Sequence, residues 1–267
     1  NSGFVTAGRI LEKVTGDTWE NYIQANILSP LGMTNTYMNT AGLETRNNVS
    51  QPHNNLYGPL TTIPFDNVDN MGPATSMVSN VKDLSKWLLM QLDSGRYEGR
   101  QIIPWPVIQK TRDINILTNS RKSSAYPTHF RGYGLGVYAT DYNGRQVYWH
   151  TGGAFGMVTN VCFVPEEKLG IAILTNNDNQ SFFEALRYQV LDTGGVVRER
   201  LDWPPRWPEP HSSGSSAITA RSLGQLAANP GCSGRPSTSS SATQRSSVLS
   251  RLATVSSSSA ASAMTVV

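Results

Sequence analysis

Cysteine is nearly missing from these 267 residues: only Cys162 and Cys232 occur, one in a run that reads as a buried strand and one in a Ser-rich tail. Two cysteines so placed make neither a disulfide framework nor a metal site. The four histidines show no ligand spacing, and no nucleotide-binding glycine loop is present, so no metal or organic cofactor is expected. No apolar run approaches the roughly 18 residues of a membrane span. Charge is scarce as well, at 15% of residues. From residue 203 onward Lys and Asp are absent, and five Arg against one Glu give +4, so residues 1–202 carry −1 of the overall +3. The basic balance belongs to the tail and argues little for nucleic-acid or membrane binding by the folded part, so neither nucleic acid nor a membrane span is expected. Residue 1 is Asn, not Met, so the chain reads as starting in mid-sequence, where a signal peptide would be invisible. Asn48-Val49-Ser50 and Asn179-Gln180-Ser181 fit the glycosylation pattern and point weakly toward secretion.

The apolar residues that are present fall into two rhythms. Phe4, Val5, Ala7, Ile10, Leu11 and Val14 form a helical stripe with Gly16 just past its end. Thr18 can cap a second helix through about Leu28, which Ser29-Pro30-Leu31-Gly32-Met33 should end. Residues 40–73 form a long stretch rich in Asn, Thr, Pro and Gly, of the kind that wraps a surface or serves function. The spacing of Leu84, Trp87, Leu88 and Leu92 predicts a helix over 80–92, and a weaker one follows over 105–116. From Gly132 the period shifts toward two. Strands are predicted over 133–140, 145–150, 157–164 and 169–175, joined by short turns that imply antiparallel hairpins. A helix over 181–191 closes the run. Helices, then an antiparallel meander, then a covering helix predict an α/β (α+β) domain over residues 1–202. Residues 203–267 hold 18 Ser, too few apolar groups to offset chain entropy, and are expected to be a disordered tail.

His150-Thr151-Gly152-Gly153 stands where a strand-like run meets two glycines. Histidine can donate a hydrogen bond to a substrate carboxylate or carbonyl, and its charge is adjustable near neutrality. Side-chain-free backbone at Gly152 and Gly153 lets a substrate lie close. With Asn1-Ser2-Gly3-Phe4, Ser29-Pro30-Leu31-Gly32-Met33, Gly72-Pro73-Ala74, Asp83-Leu84-Ser85-Lys86-Trp87 and Tyr133-Gly134-Leu135-Gly136 in that order, the chain resembles the serine beta-lactamase-related family. That family takes in class C-like enzymes, penicillin-binding-protein-like esterases and D-aminopeptidases. The resemblance implies a transpeptidase-like fold, with an antiparallel sheet flanked by helices beside a mainly helical region. It also implies Ser-x-x-Lys chemistry, in which Ser attacks an ester, amide or lactam carbonyl and forms an acyl-enzyme.

By the same resemblance Asn1 takes the Asn of the family's Tyr-x-Asn motif, and His150, Thr151 and Gly152 take its Lys-Thr-Gly positions. Gly153 supplies one oxyanion N–H. His in the Lys position resembles the esterase and peptidase branches. The nucleophilic Ser, its Lys and the Tyr have no counterpart in the chain. It therefore reads as the C-terminal portion of a hydrolase, inactive as it stands, whose parent takes a small ester, amide or peptide. The alternative is a non-catalytic binding or scaffold protein built on the same fold. Oligomeric state stays open.

Two stretches imitate catalytic motifs. Ser79-Asn80-Val81-Lys82 has Ser-x-x-Lys spacing, yet Asn80 and Asp83 predict a helix N-cap there. Tyr37-Met38-Asn39 imitates Tyr-x-Asn but follows the Pro-Leu-Gly-Met turn and reads as strand packing.

Overall fold

The computed structural model describes residues 1–55, 58–123, 125–154, 156–178, 180–193, 253–256 and 263–266. The chain divides into two units, Asn1–Phe183 with Arg251–Val267, and Glu184–Ser250. Of the second unit the described part is 184–193, helical as far as Asp192.

The first unit begins with helix α1 (Ser2–Thr15), stopped where Gly16 turns left-handed at φ 73. Helix α2 (Trp19–Ile23) starts where the Thr18 hydroxyl accepts from the Asn21 amide. The helical run ends inside Ser29-Pro30-Leu31-Gly32-Met33, the segment expected to stop it, three residues past Leu28. A π-helical turn over Gln24–Leu28 carries it into α3 (Ser29–Leu31), and Gly32 stops it at φ 65. Pro30 brings no N–H to this continuous helix, and it follows directly on the π-helical turn, whose last bond is Ser29 N–H to the Gln24 carbonyl. Trp19, Leu28, Leu31 and Met33 then pack with Met90 and Ile108 into one core.

The long 40–73 connection contains a two-residue ladder, β1 (His53–Asn54) against β2 (Thr61–Thr62), and leads to the short α4 (Gly72–Thr75). Helix α5 (Val81–Leu92) starts where the Asn80 side chain accepts from the Asp83 amide. A small hairpin, β3 (Arg96–Tyr97) with β4 (Arg100–Gln101), precedes α6 (Trp105–Arg112). That helix is four residues shorter than expected, because Ile116–Asn119 forms β5 instead.

The main sheet is antiparallel. From one edge it runs β5, β6 (Arg131–Tyr133), β7 (Tyr138–Tyr142), β8 (Arg145–Ala154), β9 (Met157–Val164) and β10 (Leu169–Thr175). The single strand expected over 133–140 is in fact two strands around a corner. Gly136 has φ +94, and a Cβ on Gly134 would lie 2.2 Å from the Thr111 carbonyl oxygen, so the backbone folds back where only glycine fits. The β7–β8 turn is two residues, Asn143 and Gly144, both at positive φ (48° and 78°), which matches the twist of the strands it joins. Helix α7 (Gln180–Asp192) falls where a closing helix is predicted.

Helix α5 lies on one face of the sheet. Leu88 is fully buried against Ala139, Tyr148, Phe163 and Ala172, one residue from each of four neighbouring strands.

Residues 203–267 lie almost wholly outside the described residues. The described residues of this stretch are two short strands, Ala253–Ser256 (β11) and Ala263–Val266 (β12). β12 pairs with β10 from Ile171↔Val266 to Leu174↔Ala263, and β11 pairs with β12. The β-branched residues of these short runs suit a strand, and an unpaired β10 edge would be a template for them.

Candidate active-site edge

Strand β8 extends four residues beyond His150, so His150, Thr151, Gly152 and Gly153 lie within the strand and not after it. Its two neighbours cover different lengths of it. β9 pairs with it as far as Ala154↔Met157, whereas β7 stops at Tyr138↔Trp149. From His150 on, β8 therefore has an unpaired edge among the described residues. The two-residue turn makes Tyr142↔Arg145 a hydrogen-bonded pair, and the pattern alternates from there. Odd-numbered residues of β8 thus direct N–H and C=O toward β7. Thr151 and Gly153 direct theirs into the open edge.

His150 is half-buried and sits between two oxygens. Its Nδ1 lies 2.7 Å from the Thr151 carbonyl oxygen, which can only accept, so Nδ1 carries the proton. Nε2 lies 2.9 Å from the Tyr133 hydroxyl and accepts from it. Burial pushes the His150 imidazole below its ordinary pKa, and the Thr151 carbonyl offsets this in part. Burial, with a smaller push from Tyr138, raises Tyr133, which keeps its hydroxyl protonated as the donor. The site therefore holds a neutral imidazole with Nε2 as a hydrogen-bond acceptor. Tyr138 stacks on Trp149 with ring centroids 4.4 Å apart and lies 5.8 Å from the His150 ring, which fixes the wall beside it.

The two glycines differ. A Cβ on Gly152 would come within 2.5 Å of the Thr159 hydroxyl, so that position is closed by a cross-strand neighbour. A Cβ on Gly153 would meet nothing within 4 Å, and the residue is exposed. The turn beyond them is tied down by the long connection. Asp178 accepts from the Gly156 amide (2.8 Å) and from the Asn54 side chain (2.6 Å), and the His53 amide donates to the Gly156 carbonyl (3.2 Å).

Asn1 is the exposed N-cap of α1, and its carbonyl accepts from the Phe4 and Val5 amides. Among the described residues no hydrogen bond joins it to His150. Tyr133 was the residue sequence reasoning missed as a partner of His150. Its place directly before Gly134-Leu135-Gly136 was visible, but the corner that returns it beside β8 was not. The Ser79 hydroxyl lies 2.8 Å from that of Thr36, while Lys82 is exposed. Asp83 accepts from the Thr36 hydroxyl (3.0 Å) and the Asn35 amide (2.8 Å), so this cluster fastens α5 to the turn after α3. Tyr37 bridges Val78 and carries Arg46 over its ring, as packing requires. Cys162 is buried, and Cys232 lies outside the described residues.

An antiparallel sheet with a helix on one face, and a His-Thr-Gly-Gly strand with one free edge, define a transpeptidase-like hydrolase fold. The chain belongs to the beta-lactamase family, whose profile matches residues 1–195. It is similar to the unguisins hydrolase ungD' of Aspergillus campestris, with 26% identity over 225 residues, covering 78% of this chain and 39% of the relative. It is also 25% identical to penicillin-binding protein 4 of Amycolatopsis lactamdurans over 79% of this chain and 55% of that protein. Among solved structures, the octameric penicillin-binding protein homologue from Pyrococcus abyssi matches with TM-score 0.59 and 27% identity, over 72% of this chain and 41% of the other. A class C beta-lactamase shares the fold at TM-score 0.56 and 15% identity, over 74% of this chain and 56% of the other. The chain spans only about two fifths to just over half of the curated relatives it matches.

Proposed function

We propose that the chain supplies one wall of the active site of a serine hydrolase that cleaves an ester, amide or lactam through an acyl-enzyme. The observation that carries this reading is the free edge of β8 from His150 to Ala154, where an extended substrate can add as a partial strand. On that edge the Gly153 N–H is a preorganised donor for the oxygen that becomes negative when the carbonyl is attacked. Neutral His150 offers Nε2 as an acceptor for a hydroxyl, and Tyr133 is the group now occupying it. A substrate carbonyl or carboxylate can be met at the same nitrogen once the imidazole is protonated. Asn1 is assigned to the same site by its motif alone. The relatives' names agree in kind, one being a hydrolase and one a penicillin-binding protein.

Within this chain the nucleophile has no counterpart, since the Ser79 hydroxyl is engaged by Thr36 and Lys82 is exposed. The 267-residue chain is therefore inactive alone. A fluorophosphonate probe is expected to leave it unlabelled. Stoichiometric labelling that Ser79→Ala abolishes would overturn this assignment. Sequencing the 5′ end of the transcript tests the rest. An upstream Ser-x-x-Lys with a Tyr two residues before Asn1 is the expected result. A translation start close to Asn1 would favour a binding or scaffold protein instead.

A further inference from the structure

Toward the hairpin end of β8, away from His150, a pocket of about 510 Å³ opens between α6, the sheet and the β9–β10 turn. None of the His150-site residues lines it. Its apolar walls include Trp105, Ile114, Phe130 and Tyr148, and Arg112 stands among them. The Arg112 guanidinium lies 5.4 Å from the Trp105 ring, 5.3 Å from Tyr148 and 5.0 Å from Phe163. Both its hydrogen bonds leave from Nη2, to the backbone oxygen (2.6 Å) and side-chain oxygen (3.3 Å) of Gln91. Nε is buried and has no acceptor. Among the described residues no carboxylate lies within ion-pair distance of it. A half-buried cation with unused donors and three rings around it is costly unless an acceptor completes it.

We propose that this pocket binds a small carboxylate with an apolar body, its charge on Arg112 and its body against Trp105 and Ile114. Burial lowers the Arg112 pKa with only Tyr148 opposing, as follows for a cation that lacks an acidic partner. A carboxylate would be met by the charge of the guanidinium, whose Nη2 is already held by Gln91. Asp113 and Glu166 also line the pocket, and their repulsion of an anion is about twice as strong for a doubly charged phosphate ester as for a singly charged carboxylate. The volume accepts a molecule of roughly amino-acid size with one ring. The site is separate from the β8 edge and does not depend on the hydrolase reading.

The test is titration of 3-phenylpropionate into the 267-residue chain, read at the Arg112 Nε–H and Trp105 indole N–H resonances. Saturable shifts of both signals with a millimolar dissociation constant are expected for so small a ligand. The neutral 3-phenylpropanamide and the dianion phenyl phosphate should bind about tenfold or more weakly. Arg112→Met should weaken 3-phenylpropionate about 10- to 100-fold, as loss of a charge-assisted pair does. Gln109→Trp, made at an exposed position on the pocket wall, should narrow the cavity and weaken binding. That second variant decides the matter if Arg112→Met does not fold. No saturable shift, equal binding of the amide or the phosphate ester, or unchanged affinity in a folded Gln109→Trp would each overturn the proposal.

Discussion

The two halves of β8 share one backbone and differ in what lies beside them. From Arg145 to Trp149 the strand has β7 on one side and β9 on the other, and Val147 and Tyr148 are buried. From His150 to Ala154 only β9 remains, and Gly152, Gly153 and Ala154 are exposed. In the first half every backbone group is consumed by the ladder, so side chains there serve packing. In the second, the Thr151 carbonyl already accepts from His150, while the Gly153 backbone meets no partner strand among the described residues. The proposed site begins where the neighbouring strand stops.

Substitutions in the two halves should separate them. The largest effect is expected in the paired half: Val147→Ala removes two methyl groups from a residue 1% exposed and should cost about 2 kcal/mol, read from urea unfolding. Equal stability in that variant would mean that the paired half is not core. Next comes the turn that holds the free half in place. Asp178→Ala deletes acceptors for Gly156 and Asn54, with an expected loss of about 1–2 kcal/mol and faster hydrogen exchange at the Gly156 amide. Slow exchange there would show that the His53 contact suffices.

The pH response is smaller and signed. His150 has a folded pKa below its unfolded one, so the unfolded chain binds more protons as pH drops through the ordinary imidazole range. Its contribution is present above about pH 6.5 and is lost as pH falls through the lowered folded value. Thermal midpoints measured from pH 8 to pH 5 should fall, and His150→Gln should flatten that fall. A midpoint that rises on acidification would contradict the neutral imidazole. Gly153→Ala closes the series. With nothing within 4 Å of the added methyl, its stability should stay within about 0.5 kcal/mol of the parent's. If the edge binds substrate as proposed, the same variant in a protein carrying the nucleophile should lose turnover, because the methyl stands on the sheet face directly beside the edge amide.

Much of this architecture is visible in local pattern. The stripe of α1 with Gly16 behind it, the Thr18 and Asn80 caps, and the Asn143-Gly144 turn all act within a few residues. Such features can be read without knowing the fold. The misses share a cause. Residues 133–140 alternate well enough for one strand, but the Thr111 carbonyl leaves no room for a Cβ at Gly134, and that oxygen comes from α6. Ile116 sits equally well at the end of a helical pattern or the start of a strand, and pairing with Tyr133 decides it. Val255 and Val266 are too isolated in Ser and Ala to announce strands, and the free edge of β10 organises them.

The candidate site divides the same way. Residue identities and their order were enough to bring His150, Thr151, Gly152 and Gly153 together, since four neighbours in sequence stay neighbours in any strand. They also set the family, because its motifs are short and colinear. What tertiary structure alone decided was which edge of those residues is free, which tautomer His150 holds and which hydroxyl it faces. Each of these depends on where a second strand ends or a corner returns, over separations that no local preference encodes. Arg112 is the clearest case: its sequence neighbours mark a helix end, and only packing against Trp105, Tyr148 and Phe163 makes it a cation without an acidic partner.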